Sequence, residues 1–187
     1  LSLLRRVDAN ELTITGTKDR WDKGWKENLD ALAEGRPIEE ALAPKYIRAG
    51  KPLRLRGEFI RPEDPSFEAN WYALYRDWFC GLLEPFDRVY EFGSGSGHNV
   101  AYLAKRFPDK KIIGLDWAQP SVDIVDRLAA QGFNVEGRLF NFFNPDRTLE
   151  IPPNSVVLTV GAMEQTGLLW APFLSFLMER KPAFCLH

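Results

Sequence analysis

The pattern of apolar and polar positions divides the chain near residue 84. Beyond that point, short apolar runs alternate with amphipathic stretches of helical spacing. Strands that alternate with helices are typical of a parallel sheet covered on both faces, so we expect an α/β, doubly wound fold over 85–187. The predicted strands are 87–92, 111–116, 133–141, 155–160 and 182–187, and the predicted helices are 98–107, 120–131 and 164–180.

Residues 1–84 are predicted to form a mainly helical segment that is rich in tryptophan. A helix over 18–35 carries one apolar face, made of Trp21, Trp25, Leu29 and Leu32. Residues 53–60 alternate like one short strand. A second helix follows Asp64, and we expect its apolar stripe to pack on the sheet, with a lid over a ligand as the alternative. That stripe consists of Phe67, Trp71, Leu74, Tyr75, Trp78, Phe79 and Leu82.

The run VYEFGSGSGHN at 89–99 joins a predicted strand, a glycine-rich turn and the start of a helix. Gly93, Gly95 and Gly97 allow a tight turn and a close approach of a ligand to the backbone, and the helix start offers free N–H groups. The run therefore predicts a nucleotide-binding corner. A dinucleotide fingerprint would place its third glycine three residues after Gly95, where this chain has His98.

The next strand, KIIGLD, ends at Asp116, 23 positions after Gly93. An acid about 20 residues beyond such a turn commonly accepts hydrogen bonds from both hydroxyls of a nucleoside ribose. Asp116 thus favours a ribose-containing ligand without choosing among such ligands. The alternative is an aspartate that belongs only to a strand–helix loop.

Glu91 before the glycines, the G-x-G-x-G spacing and Asp116 together resemble motif I and the following strand of the class I S-adenosylmethionine (SAM) dependent methyltransferases. The resemblance implies a Rossmann-like fold, SAM as the cofactor and no metal. In that family, the acid corresponding to Glu91 lies near the amino end of the methionine. The implied cofactor-binding residues are Glu91, Gly93, Gly95, Gly97, Asp116, Trp117, Asn141, Phe142 and Gly161.

The same resemblance places the adenine beside Asn141 and Phe142, although Asn141 is also a common turn residue. His98 and Glu164 are the candidates for a catalytic base. The alternatives are that His98 caps a helix or contacts the methionine carboxylate, and that Glu164 only begins the next helix. Tyr72 and Tyr75 are possible substrate contacts.

The methyl acceptor is predicted from the absence of one sequence motif and from the net charge of the chain. Methyltransferases of exocyclic nucleobase amines carry Asn/Asp-Pro-Pro-aromatic after the fourth strand, where this chain reads GAMEQ. The net charge is −2, and we expect no nucleic-acid partner and a small-molecule or sugar acceptor methylated on oxygen. YEFGSGSGHN, GLDWA and SVVLTVGAMEQTG also resemble bacterial small-molecule and sugar O-methyltransferases. The alternatives are a catalytically idle SAM-fold scaffold and a nicotinamide-dependent oxidoreductase.

The remaining expectations concern location and assembly. Two cysteines at no metal-binding spacing and no apolar run of membrane-spanning length predict a cytoplasmic protein. The resembled sheet has seven strands in the order 3-2-1-4-5-7-6, and this sequence ends within the fifth. We therefore expect strands 6 and 7 to be missing, and an uncovered sheet edge that pairs with a second copy or is covered by the N-terminal segment.

Overall fold

A computed structural model describes residues 17–47 and 49–187. The strands are β1 (Leu53–Leu55), β2 (Glu58–Ile60), β3 (Arg88–Phe92), β4 (Lys111–Asp116), β5 (Val135–Leu139), β6 (Ser155–Leu158) and β7 (Phe184–Leu186). The helices are α1 (Lys18–Ala33), α2 (Ile38–Ala41), α3 (Phe67–Leu83), α4 (His98–Arg106), α5 (Gln119–Ala130) and α6 (Ala171–Arg180), and a 3₁₀ segment covers Met163–Leu169.

The main sheet has five strands in the order β5-β4-β3-β6-β7, and every neighbouring pair is parallel. This arrangement confirms the predicted α/β fold with a doubly wound parallel sheet. Because parallel strands share one direction, the loops after β3, β4, β5 and β6 all leave the same edge of the sheet. The glycine turn follows β3, the central strand, and Asp116 ends its neighbour β4.

Two apolar clusters cover the two faces of the sheet. The first cluster contains Val89 and Ile112 of the sheet. It also contains Leu32 of α1, Phe79 of α3, and Leu42, which follows α2. The second cluster contains Phe92 and the phenylalanines of α6, Phe173 and Phe176. The N-terminal helices therefore share a core with the sheet, and a domain boundary near residue 84 stays a prediction.

The stripe predicted for α3 is buried only in part. Phe79 is fully buried and Leu82 half-buried, whereas Trp71, Leu74 and Trp78 are 58%, 64% and 56% exposed; Leu83, outside the predicted stripe, is also fully buried. The helix is apolar around most of its circumference, and a single helix can turn only one face toward the sheet. Sequence periodicity did not determine which of the two apolar faces is buried.

Two further elements differ from the prediction. Residues 53–60 form an antiparallel hairpin rather than one strand, because Arg56 and Gly57 adopt φ values of +51° and +90° and reverse the chain. The predicted helix over 164–180 is interrupted at Gly167, whose φ of 58° and ψ of −124° are not helical, and α6 begins at Ala171.

Candidate functional site

The glycine turn and Asp116 form one hydrogen-bonded unit. The Gly95 N–H donates to Asp116 Oδ2 at 2.9 Å, and the Ala118 N–H donates to Oδ1 at 2.9 Å. Burial raises the pKa of Asp116, although the backbone N–H donors of Ala118 and Gly95 act in the opposite direction. Each carboxylate oxygen has a second lone pair, so Asp116 can hold the turn and still accept from a ligand.

Gly95 is required by both conformation and space. Its φ is +53°, and a Cβ added there would lie 2.9 Å from Cζ2 of Trp25. The indole of Trp25, on α1, therefore lies directly against the backbone of the turn. Any side chain at position 95 would displace that ring or distort the turn.

Glu91 is a buried carboxyl with one free oxygen. Asn99 Nδ2 donates to Oε1 at 2.8 Å, whereas Oε2 is buried without a hydrogen-bond partner within the part of the chain that the structure describes. Burial raises the pKa of Glu91 to about 8, with Asn99 lowering it and Asp116 raising it further. An unpartnered buried carboxyl oxygen costs free energy unless a ligand supplies a donor.

His98 begins α4 and contacts Arg76 of α3. The distance between His98 Nε2 and Arg76 Nη1 is 2.8 Å, and since a guanidinium can only donate, Nε2 accepts. The proton of the neutral ring is therefore assigned to Nδ1. Burial, reinforced by the charge of Arg76, lowers the pKa of His98 to about 4. The lone pair that a base would use is engaged in this contact.

Of the two residues predicted to lie beside the adenine, Phe142 lines the cavity and Asn141 does not, and Trp117, another predicted cofactor-binding residue, also lines it. Phe142 lines it and stacks on Phe173, with ring centroids 4.2 Å apart, and Trp117 lines it beside Phe143. Asn141 does not belong to this lining. Its side chain is exposed, and its Oδ1 accepts from the Phe143 N–H at 2.9 Å in a turn.

The loop after β6 supplies another wall of the same cavity. Gly161, with φ of +65°, and Glu164 both line it, and Glu164 Oε1 lies 3.7 Å from where a Cβ of Gly161 would stand. Glu164 is exposed and lies in the first turn of the 3₁₀ segment. Glu164 therefore both begins a helical segment and lines the cavity, so the two predicted positions are compatible.

The cavity has a volume of about 390 Å³, which is within the range of small-molecule sites. Glu91, Gly93, Gly95, Asp116 and His98 line it at the carboxyl edge of the sheet. Among the described residues, Gly97 is not part of the lining, because it packs against Ile124 behind the turn. Tyr72 lines the cavity, and Tyr75 lies outside its lining.

Helix α1 and the residues after α2 contribute a wall of the cavity whose side chains the sequence did not assign to the site. Trp21 and Trp25 stack on each other with centroids 5.5 Å apart, and both line the cavity together with Pro44 and Tyr46. Two tryptophans four residues apart on α1, at the end of a stripe whose Leu32 is buried, were the available signal. A stripe of this kind predicts packing equally well.

Tyr46 and Tyr72 both line the cavity and are in contact, with ring centroids 6.5 Å apart. Burial raises the pKa of Tyr46 and of Tyr72, and a hydrogen bond between the two hydroxyls raises that of Tyr46 further. Both phenols are therefore protonated at neutral pH and act as hydrogen-bonding groups rather than as bases.

Within the described ranges 17–47 and 49–187, no group of three His, Cys, Asp or Glu side chains is arranged to hold a metal ion. Over the same residues, no helix is both long enough and apolar enough to cross a membrane.

Comparison with known proteins gives a partial match. No family model matches the chain. It is 30% identical over 86 residues to a tRNA (guanine-N(7)-)-methyltransferase of Shewanella frigidimarina (strain NCIMB 400), a stretch that covers 42% of this chain and 36% of that protein. It is also 30% identical over 92 residues to the tRNA (guanine-N(7)-)-methyltransferase of Pseudoalteromonas atlantica (strain T6c / ATCC BAA-1087), a stretch that covers 45% of this chain and 38% of that protein. The chain thus spans little more than a third of either relative.

These relatives contradict the expectation of no nucleic-acid partner, since both are named for activity on tRNA. Neither the missing motif nor the net charge excludes a nucleic-acid substrate. The missing Asn/Asp-Pro-Pro-aromatic motif concerns exocyclic amines, whereas guanine N7 is a ring nitrogen with a free lone pair. A net charge of −2 averages over the chain and does not report where the basic residues lie.

Similar solved structures include the methyltransferase domain of bacterial CtHen1-C (TM-score 0.49, 16% identity, 58% of this chain and 60% of that one). A second is the N-terminal domain of EvdMO1 in the presence of SAH and D-fucose (TM-score 0.47, 21% identity, 75% of this chain and 57% of that one). A third is a SAM dependent methyltransferase from Aquifex aeolicus (TM-score 0.44, 18% identity, 59% of this chain and 58% of that one). Because all three scores are below 0.5, the fold rests on the chain's own strand order and on the glycine turn after its central strand. On that topology, the chain has a Rossmann-like, doubly wound α/β fold.

Proposed function

We propose that this chain binds SAM and is a SAM-dependent methyltransferase. The observation that carries the proposal is Glu91 Oε2, a buried carboxyl oxygen without a protein donor, beside a cavity bordered by the glycine turn. The α-ammonium group of a methionine moiety would supply the missing donor and would favour the ionised carboxylate. A nicotinamide dinucleotide carries no such ammonium group.

Other residues of the lining fit the remaining parts of SAM. Asp116 has lone pairs left for a ribose diol after accepting from two backbone N–H groups. Trp117 and Phe142 offer aromatic surface for an adenine. Gly93 and Gly95 leave the backbone of the turn open to the ligand. Asn141 would enter this set only if its side chain left the contact with the Phe143 N–H.

When bound, SAM supplies a methyl group on a sulfonium, which is already a strong electrophile. The protein then has to orient the acceptor and exclude water. Trp21, Trp25 and Tyr46 would exclude water from the side opposite the sheet. The neutral His98 ring, held by Arg76, would offer its Nδ1–H as a donor rather than act as a base.

The acceptor is proposed as one of two chemical classes. A hydroxyl, in a small molecule, a free sugar or a ribose, needs a base for its proton, and Glu164 is the exposed carboxylate at the cavity that could take it. A nucleobase ring nitrogen needs no base, and the tRNA methyltransferase relatives favour it. A cytoplasmic location and pairing of a sheet edge with a second copy stay predictions.

Two experiments test these proposals. Thermal unfolding with SAM, S-adenosylhomocysteine, NAD and NADP should show stabilisation by the first two, and stabilisation by NAD or NADP alone would refute SAM binding. Glu164→Gln, with exposed Glu27→Gln as its matched control, should abolish transfer to a hydroxyl acceptor and leave transfer to a ring nitrogen intact. SAM binding without transfer to any small hydroxylated molecule or RNA would favour the idle scaffold.

A further inference from the structure

The charge of this chain is distributed unevenly. Residues 45–61 contain six lysines and arginines and one acid, Glu58, so that this segment carries a net charge of +5 and the rest of the chain −7. A segment of this kind inside an acidic protein is an electrostatic footprint for a polyanion. Within the described part of the chain, Lys51, Arg54, Arg56 and Arg61 are not members of any ion pair.

The structure folds the middle of this segment into the β1–β2 hairpin. Arg54 stands directly opposite Phe59 across the two strands, so the two residues share one face. Phe59 is 79% exposed, more than any other large apolar side chain in the described residues. Leu53 and Ile60, on the other face, are half-buried. The outer face therefore presents a flat aromatic ring beside a guanidinium.

The tip of the hairpin holds a cation in an unfavourable backbone conformation. Arg56 has a φ of +51° and Gly57 a φ of +90°, which is the sign pattern of a two-residue I′ turn. Asn or Gly is preferred at the first of these positions, and an arginine there is uncommon. The basic residue at the tip therefore has a conformational cost.

In the chain, the hairpin lies between two residues that line the proposed cofactor cavity. The chain leaves the cavity after Tyr46 and returns to it at Tyr72, and these rings are 6.5 Å apart. The hairpin therefore belongs to a stretch of chain with a lining residue on either side of it.

We propose that the β1–β2 hairpin is an RNA-binding arm that delivers a single-stranded segment to the cavity. Its cations would contact phosphates, and Phe59 would stack on a base, the combination by which proteins hold single-stranded nucleic acid. A purely electrostatic contact would not use an exposed phenylalanine. The delivery role rests on the proposed methyltransferase function, whereas RNA binding can be measured without SAM.

The test is the fluorescence anisotropy of a labelled, unstructured 20-nucleotide RNA at several salt concentrations. Phe59→Ala should weaken binding about 5- to 150-fold, the range for loss of one base–aromatic stack. Its matched control, exposed Met178→Ala on α6, should not. Equal affinities of Phe59→Ala and Met178→Ala would overturn the stacking assignment.

The cations are tested by Arg54→Ala combined with Arg56→Asn. The second change places the preferred residue in the turn, so it removes charge without weakening the hairpin. The slope of log affinity against log salt should fall by about 1.4, two single-strand phosphate contacts. The control is Arg88→Ala with Arg127→Ala, two exposed arginines of the sheet domain.

An unchanged salt-dependence slope would refute the proposal that the hairpin binds RNA. Binding of anionic phosphatidylserine vesicles but not of RNA would also refute it. Calorimetry with SAM in parallel separates the two proposals. SAM binding without RNA binding refutes only the arm, and RNA binding without SAM binding refutes only the methyltransferase.

Discussion

Replacing Glu91 with glutamine is predicted to stabilise the protein and weaken SAM binding at the same time. Glutamine has nearly the same shape, and its Oε1 can still accept from Asn99 Nδ2, as Glu91 does at 2.8 Å. What is lost is the ionisable oxygen, which is buried and unpartnered in the free protein. The change therefore removes a charge that folding disfavours and that the ligand is proposed to need.

The size of the stability effect follows from the pKa of Glu91, which burial raises from 4.5 to about 8. Since the folded-state pKa is the higher one, the contribution of this group to stability is complete below pH 4.5 and is lost as the pH rises through about 8. Each unit in that window costs about 1.36 kcal/mol. Between pH 5 and pH 7, wild type should therefore lose on the order of 3 kcal/mol of unfolding free energy relative to Glu91→Gln.

Urea unfolding at pH 5, 6, 7 and 8 measures this difference, with exposed Glu27→Gln as the matched control. Calorimetry at pH 7 should show SAM binding weakened about 10- to 150-fold, the value of a hydrogen bond to a charged group. A wild-type and Glu91→Gln difference that did not vary with pH would refute the buried, neutral carboxyl. Unchanged SAM affinity would remove Glu91 from the site.

Three further predictions concern the same corner. Asp116→Ala should weaken SAM binding at least about 10-fold. It should also lower the free energy of unfolding by about 1–3 kcal/mol, because the Gly95 and Ala118 N–H groups lose their acceptor. An unchanged urea midpoint would show that these hydrogen bonds do not contribute to stability. Gly95→Ala should displace Trp25 and abolish SAM binding. Its control is Gly24→Ala, where an added Cβ meets nothing within 4 Å and should stabilise α1 by about 0.5–1 kcal/mol. Equal effects of the two changes on SAM binding would contradict the close packing of Trp25 against Gly95. Arg76→Met should raise the pKa of His98 from about 4 in an NMR titration, and an unchanged titration would assign the whole shift to burial.

The sequence predicted the sheet and the glycine corner because both depend on local signals. Apolar runs gave the five strands of the main sheet, and the strand-end rule placed Asp116 beside the turn, where the Gly95 N–H reaches it. The hairpin was missed because Arg56, a residue uncommon at positive φ, occupies the turn where Asn would have signalled it.

The contacts across the chain were beyond sequence reasoning. Trp25 lies against Gly95, and Arg76 against His98, through packing of helices that no spacing rule relates. The engagement of Asn141 with its own turn was likewise open, because an asparagine at a strand end serves a turn or a ligand equally well. Fold and cofactor corner could thus be predicted, and the opposite wall of the cavity could not.

The most direct test of the central claim is calorimetry of SAM with the wild-type chain at pH 7, in two buffers of different ionisation enthalpy. We predict binding to one site with release of close to one proton per SAM, because Glu91, neutral in the free protein, ionises when it meets the ammonium group. Glu91→Gln should release none. Absence of SAM binding, or SAM binding with no difference between the two buffers, would contradict the account.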